Sequence, residues 1–241
     1  GQPAGSMNPP RLTAPFFEIG PKNLLRLPEL LDVAVAADAA GRRHRVAVIL
    51  TVPTPLIAPV RSAVPDEVPF AQGMADDLPG PSVGRVIAES LVDAGAHGVM
   101  LNHDSHPLQP AVLERSVARA HANGLMTVVC AGSESEVLDL VRLRPTVILF
   151  EPPELIGSAS GSDRPWIRGI DRRVASIAPE VLMMHAGGVA TPSDAYRIMR
   201  EGAAGTGSTS GVLQARDPVR AVGQFVEAAR AGFDGAAEPG R

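Results

Sequence analysis

Lysine is almost missing from this chain: of its 22 basic residues, Lys22 is the only one that is not arginine. Aromatic residues are also scarce, at 3%. The interior must therefore be built from Val, Ile, Leu and Ala, which suits parallel strands covered on both faces by helices. Cys130 is the only cysteine, so no intrachain disulfide can form. No apolar run approaches the roughly 18 residues of a membrane span, and no signal-peptide pattern precedes Pro15. Positive charge is not in excess either: the net charge of −4 gives no footprint for nucleic acid or anionic lipid. These absences exclude nucleic-acid and membrane partners and leave a small-molecule role in the cytoplasm as the expectation.

What is present is a regular alternation. A length of 241 residues is close to the roughly 250 of a single (β/α)8 barrel. Strands are expected at 15–20, 45–51, 68–72, 98–102, 125–130, 146–150, 181–185 and 205–208, each followed by a helical stretch. The closing helix is read as Pro218 to Ala231. Strict alternation favours a closed α/β barrel over an open doubly wound sheet, since no strand pair needs a long reversal. Residues 1–6, ahead of Met7, read as a cloning remnant, 7–231 as one barrel domain, and the Gly/Ala/Pro-rich 232–241 as a disordered tail.

In such a barrel the chemistry lies at the strand C-termini. Ile148-Leu149-Phe150 ends abruptly in Glu151, followed by Pro152-Pro153 and a Gly/Ser-rich segment: a buried strand delivering a carboxylate, with a hinged loop behind it. Lys22 follows the first strand and His103 the fourth. The turns Gly187-Gly188 and Thr209-Ser210-Gly211 follow the seventh and eighth, where a barrel typically presents backbone N–H groups to a phosphate. A base at a carbon acid, with a cation and hydrogen-bond donors aimed at developing oxyanion charge, is the minimum kit for 1,2-proton transfer. The six His are scattered and no Cys/His cluster has ligand spacing, so no metal or other cofactor is expected.

These residues resemble the triosephosphate isomerase family in its shorter archaeal-type form. The resemblance is carried by Leu101-Asn102-His103, Val128-Val129-Cys130, Ala215-Arg216-Asp217-Pro218 and, most specifically, Glu151-Pro152-Pro153-Glu154-Leu155-Ile156-Gly157. It implies a TIM barrel and an aldose/ketose phosphate isomerase acting through an enediolate, with a small phosphorylated sugar as substrate. Glyceraldehyde 3-phosphate and dihydroxyacetone phosphate are the first expectation, in glycolysis. It further implies Glu151 as general base, His103 as neutral electrophile and Lys22 as the lysine that stabilises enediolate and phosphate. Ile156, Gly157, Gly188, Thr209 and Ser210 match its phosphate-contacting backbone positions. The loop from Pro152 to Gly161 would close over the ligand. A homodimer or homotetramer is the expected assembly.

The match departs from the family in three places. Gly20 stands where the family usually has Asn, leaving room at the carbonyl end of the site and admitting a larger substrate such as a tetrose phosphate. Asp104-Ser105 replaces Ser-Glu, removing the carboxylate that pairs with the lysine, so Glu18 or Asp104 is expected to substitute as partner of Lys22. Val83 replaces a threonine in the long loop after strand 3 that normally bridges subunits. Two other functions remain open: an aldolase with Lys22 as Schiff base, and a non-catalytic barrel that binds phosphometabolites.

Overall fold

The computed structural model describes residues 11–156 and 161–236. Among these, parallel strands β1 (Phe16–Ile19), β2 (Ala47–Val52), β3 (Val68–Ala71), β4 (Gly98–Leu101), β5 (Met126–Ala131), β6 (Val147–Phe150), β7 (Leu182–His185) and β8 (Gly205–Ser208) pair in sequence order. β8 pairs in turn with β1, so the sheet closes. The surrounding helices are α1 (Leu27–His44), α2 (Thr54–Ala63), α3 (Ala88–Ala94), α4 (Pro110–Ala122), α5 (Glu134–Leu140), α6 (Ile167–Ile177), α7 (Pro192–Arg200), the short α8 (Ser210–Leu213) and α9 (Pro218–Ala236). The expected (β/α)8 barrel is the architecture observed.

The strands read as unbroken apolar runs because both of their faces are buried. Alternate residues divide between two cores. Phe17 and Ile19, Val99 and Leu101, and Ile148 and Phe150 face the helices. Phe16, Ile49, Phe70, Met100, Val128, Leu149 and Met184 fill the barrel interior. With so few aromatics, the two interior phenylalanines each need a glycine opposite. A Cβ at Gly98 would lie 2.5 Å from the Phe70 ring, and one at Gly205 would collide with Phe16. The interior is thus packed solid at its lower end, and the same period of two carries Glu18, Thr51 and Glu151 upward into the mouth.

Helix starts are fixed locally. Thr191 caps α7 in a reciprocal box with Asp194, and Ser133 caps α5 by accepting from the Glu136 N–H. The closing helix departs from expectation, since α9 continues past Ala231 to Ala236. Its small residues explain the extension. A Cβ at Gly232 would strike the Tyr196 carbonyl and one at Gly235 the Arg200 guanidinium, so both glycines let α9 lie close against α7. Residues 1–10 and 237–241 lie outside the described residues, and with them the expected remnant and the end of the expected tail.

One buried group makes stability depend on pH. Glu67, just ahead of β3, is 2% exposed, and its Oε1 has no hydrogen-bond partner among the described residues. Burial pushes its carboxyl up to about 8, with the nearby Asp38 adding to the shift and a backbone hydrogen bond opposing it. A folded-state value above the unfolded one means that stability is fullest below about pH 4.5 and is lost as pH rises towards 8. Glu67→Gln is therefore expected to raise Tm by roughly 5 °C or more at pH 8.5, corresponding to about 2 kcal/mol or more, and to change it little at pH 5. Thermal unfolding followed by circular dichroism across pH measures this. Equal shifts at both pH values would contradict it.

Candidate active site

A cavity of about 620 Å³ opens at the C-terminal mouth of the barrel. Its walls include Glu18, Gly20 and Lys22 from β1 and its turn, Thr51 from β2, His103 and Ser105 after β4, Glu151 after β6 and Thr209 after β8. Three of the residues singled out for chemistry in the sequence are thus brought together, with Gly20 and Thr209 beside them. Ile156 is exposed, and neither it, Gly188 nor Ser210 lines the cavity. Gly157 lies outside the described residues.

Glu151 is the next inward-facing position after Val147 and Leu149, and its N–H donates to the Ala131 carbonyl at 2.9 Å. Burial raises its carboxyl above the ordinary value, Asp104 adds to that, and Lys22 and Arg164 pull it back. Such a group is a stronger base than an exposed carboxylate, yet two cations favour its charged form. Gly187 is required opposite it. Its φ is +92°, and a Cβ there would meet Glu151 Cγ at 3.0 Å.

His103 is aimed by Asn102, whose φ of +61° breaks the strand alternation. Asn tolerates this left-handed conformation better than most residues. Its side chain secures the turn, donating to the Cys130 carbonyl and to Glu136 and accepting from the Leu108 N–H. His103 Nδ1 accepts from the Ser105 backbone N–H at 3.0 Å, and Ser105 Oγ lies 2.8 Å from the same nitrogen. A backbone N–H can only donate, so the ring proton resides on Nε2. Burial and the Lys22 charge push the imidazolium down, with Asp104 opposing. The result is a neutral ring with one N–H donor left for a ligand.

Lys22 also has a left-handed backbone, with φ +52°, and Gln72 holds the turn by donating to the Lys22 carbonyl at 2.8 Å. This conformation is uncommon outside glycine, Asn and Asp, and is kept only where its surroundings enforce it. The expected ion pair with Glu18 or Asp104 is not formed; among the described residues Lys22 has no carboxylate within bridging distance. Instead Glu18 accepts from Thr51 Oγ1 at 3.0 Å.

The room expected beside Gly20 is also filled. A Cβ at Gly20 would lie 2.9 Å from Glu18 Oε2 and 3.2 Å from Oε1, so the Glu18 carboxyl occupies the space a side chain at position 20 would take. That removes the observation favouring a longer substrate. Loop 7, which follows β7, is tied to the end of β8 by Ser208 Oγ donating to the Val189 carbonyl. The turn after β8 is tied to the turn after β1 by Thr209 Oγ1 donating to the Gly20 carbonyl.

Arg164 was invisible as a functional candidate, because one arginine among many in a loop carries no sequence signal. It is 4% exposed, and its guanidinium donates to the carbonyls of Ala186 and Gly187. In a trans peptide the N–H points opposite the C=O. This clamp therefore turns the N–H groups of Gly187 and Gly188 away from the arginine. Nearby, Gly161 donates its N–H to Asp194, so the far end of the loop after β6 is anchored on α7. Cys130 is buried in the barrel interior and its thiol is pushed well up, first by burial and then by Glu151 and Glu18, so it stays protonated.

Comparison with known proteins adds an independent line. The family model described as triosephosphate isomerase matches residues 27–229, a span that includes His103 and Glu151 and begins beyond Lys22. The chain is 31% identical over 199 residues to the triosephosphate isomerase of Sulfurisphaera tokodaii, covering 81% of this chain and 86% of that one. It is 28% identical over 199 residues to that of Sulfolobus acidocaldarius, covering 82% and 86%. A crystal structure of triosephosphate isomerase from Bartonella henselae superposes with a TM-score of 0.74 at 18% identity, covering 90% of this chain and 99% of that one.

Proposed function

The chain belongs to the triosephosphate isomerase family, and we propose that Glu151, His103 and Lys22 carry the 1,2-proton transfer by which it interconverts glyceraldehyde 3-phosphate and dihydroxyacetone phosphate. This family is itself a standard illustration of how one fold tunes pKa values for acid and base work. The observation that supports these roles is their meeting in one cavity with complementary states: a base with a raised pKa, a neutral imidazole protonated on Nε2, and a cation.

In this reading Glu151 removes the proton from the carbon beside the carbonyl. His103 Nε2–H donates to the oxygen on which charge develops, and the Lys22 ammonium stabilises the enediolate. Glu151 then returns the proton to the neighbouring carbon. The phosphate is assigned to backbone N–H groups at Gly188, Thr209 and Ser210, with Gly20 forming the wall beside the reacting end. Arg164 orients the loop 7 peptides from behind. The reaction belongs to glycolysis, and a cytoplasmic location follows from that. Assembly into a homodimer or homotetramer is assigned to the loop after β3, whose Leu78 and Val83 are 69% and 94% exposed.

A coupled assay on the purified full chain tests the activity. Turnover of both triose phosphates is expected. Turnover of a tetrose phosphate alone would overturn the substrate assignment, and borohydride trapping of substrate on Lys22 would overturn the mechanism. Arg164→Met is expected to raise KM about tenfold, because the loop 7 carbonyls lose a charged donor. It should also shift the acid limb of kcat/KM upward, since Arg164 lowers the Glu151 pKa. An unchanged KM and acid limb would show that the clamp is only structural.

A further inference from the structure

We propose that Glu18 is a further catalytic group of this site: its carboxyl, seated beneath Gly20 and tied to Thr51, donates a hydrogen bond to the substrate oxygen on which negative charge develops. This rests on the isomerase reading above and adds to it a third donor.

The geometry is specific. Glu18 follows Phe16 on the inward face of β1, is 7% exposed, and lines the same cavity as Glu151, His103 and Lys22. Any side chain at position 20 would displace its carboxyl, so the glycine and the glutamate form one unit. Thr51 Oγ1 holds Oε2 at 3.0 Å, and Oε1 has no protein partner among the described residues. A carboxyl held at one oxygen and open at the other can donate only when protonated.

The surrounding charges decide which acid holds the proton. Facing Glu18 are Lys22 from its own turn, Glu151 from β6, Cys130 from β5 and His103 from the turn after β4. Burial pushes the Glu18 carboxyl up to about 7, Thr51 opposes, Glu151 adds to the rise, and Lys22 is the smallest influence. For Glu151, by contrast, Lys22 is the largest influence after burial, and Arg164 assists it. Charge therefore settles on Glu151 and the proton on Glu18, one environment splitting two carboxyls into a base and a donor. No covalent step is involved; the proton stays on Glu18 throughout.

The test is a pH profile of kcat/KM for purified wild type, Glu18→Gln, Glu18→Ala and Thr51→Val. The donating form is lost as pH rises through about 7, so wild type should show an alkaline limb near there. Glu18→Gln keeps a donor that does not titrate. It should stay within about tenfold of wild type at pH 6 and lose the limb. Glu18→Ala should lower kcat by about 10²-fold or more with KM within about threefold, the effect of removing one oxyanion donor. Thr51→Val should move the limb to higher pH, because the Thr51 hydrogen bond holds the Glu18 pKa down. An alkaline limb unchanged in Glu18→Gln and Thr51→Val would reduce Glu18 to a structural residue, even if Glu18→Ala misfolds. A wild-type protein with no turnover would instead overturn the isomerase reading together with this role. Wild-type turnover with the limb unmoved overturns the Glu18 role alone.

Discussion

Glu151→Gln is expected to lower kcat by about 10⁴-fold while leaving KM within about threefold. The substitution keeps size and hydrogen-bonding shape but removes the basic lone pair, and loss of a positioned general base costs up to about this factor. No other group in the cavity can replace it. Below about pH 7 Glu18 is mostly protonated and spends Oε2 on Thr51, and His103 is oriented to donate from Nε2. The fold should be unaffected, because a neutral amide is less costly to bury than a carboxylate whose pKa is already raised by burial. Steady-state kinetics with an unfolding control measures this. A loss of less than about tenfold would mean that the carbon-bound proton goes elsewhere.

Lys22→Met should lower kcat/KM by about 10³-fold, divided between both parameters. The ammonium is a charge-assisted donor in a buried cavity, where such a group contributes a few kcal/mol to a developing oxyanion. It also acts through its neighbours, lowering the Glu151 and Glu18 pKa values and helping to keep His103 neutral. Its removal should therefore shift the acid limb of kcat/KM to higher pH as well as lowering the plateau. Lys22→Arg should recover only part of the activity, because the planar fork cannot take the place of a compact point charge in the left-handed turn after β1. A lowered plateau with an unmoved acid limb would confine Lys22 to substrate binding.

The barrel was legible because its causes are local. Apolar runs of strand length alternating with helical stretches specify a closed parallel sheet, and the run ending in Glu151 marks the mouth. His103, Glu151 and Lys22 stand at strand ends in the sequence, and the structure brings all three to one cavity. What escaped the sequence depends on contacts between distant segments. That Glu18 reaches under Gly20 follows from its meeting with Thr51, which lies 33 residues away. Gly20 alone looked like a vacancy, and only packing shows it filled. Asp104-Ser105 looked like a loss, yet Ser105 supplies the N–H that sets the His103 tautomer. Arg164 binds carbonyls 22 and 23 residues further along the chain, a distance at which one arginine gives no pattern. The last turn of α9 was misread for the opposite reason: Gly232 and Gly235 resemble a frayed end until α7 is seen against them.

The role proposed for Glu151 is to move a proton between adjacent carbons of a triose phosphate. Proton NMR of dihydroxyacetone phosphate in D2O with wild type and Glu151→Gln tests it most directly. Wild type should replace one of the two hydrogens on the hydroxymethyl carbon with solvent deuterium, and Glu151→Gln should not, although it still binds inorganic phosphate. Exchange in Glu151→Gln at the wild-type rate would mean that another group removes the carbon-bound proton.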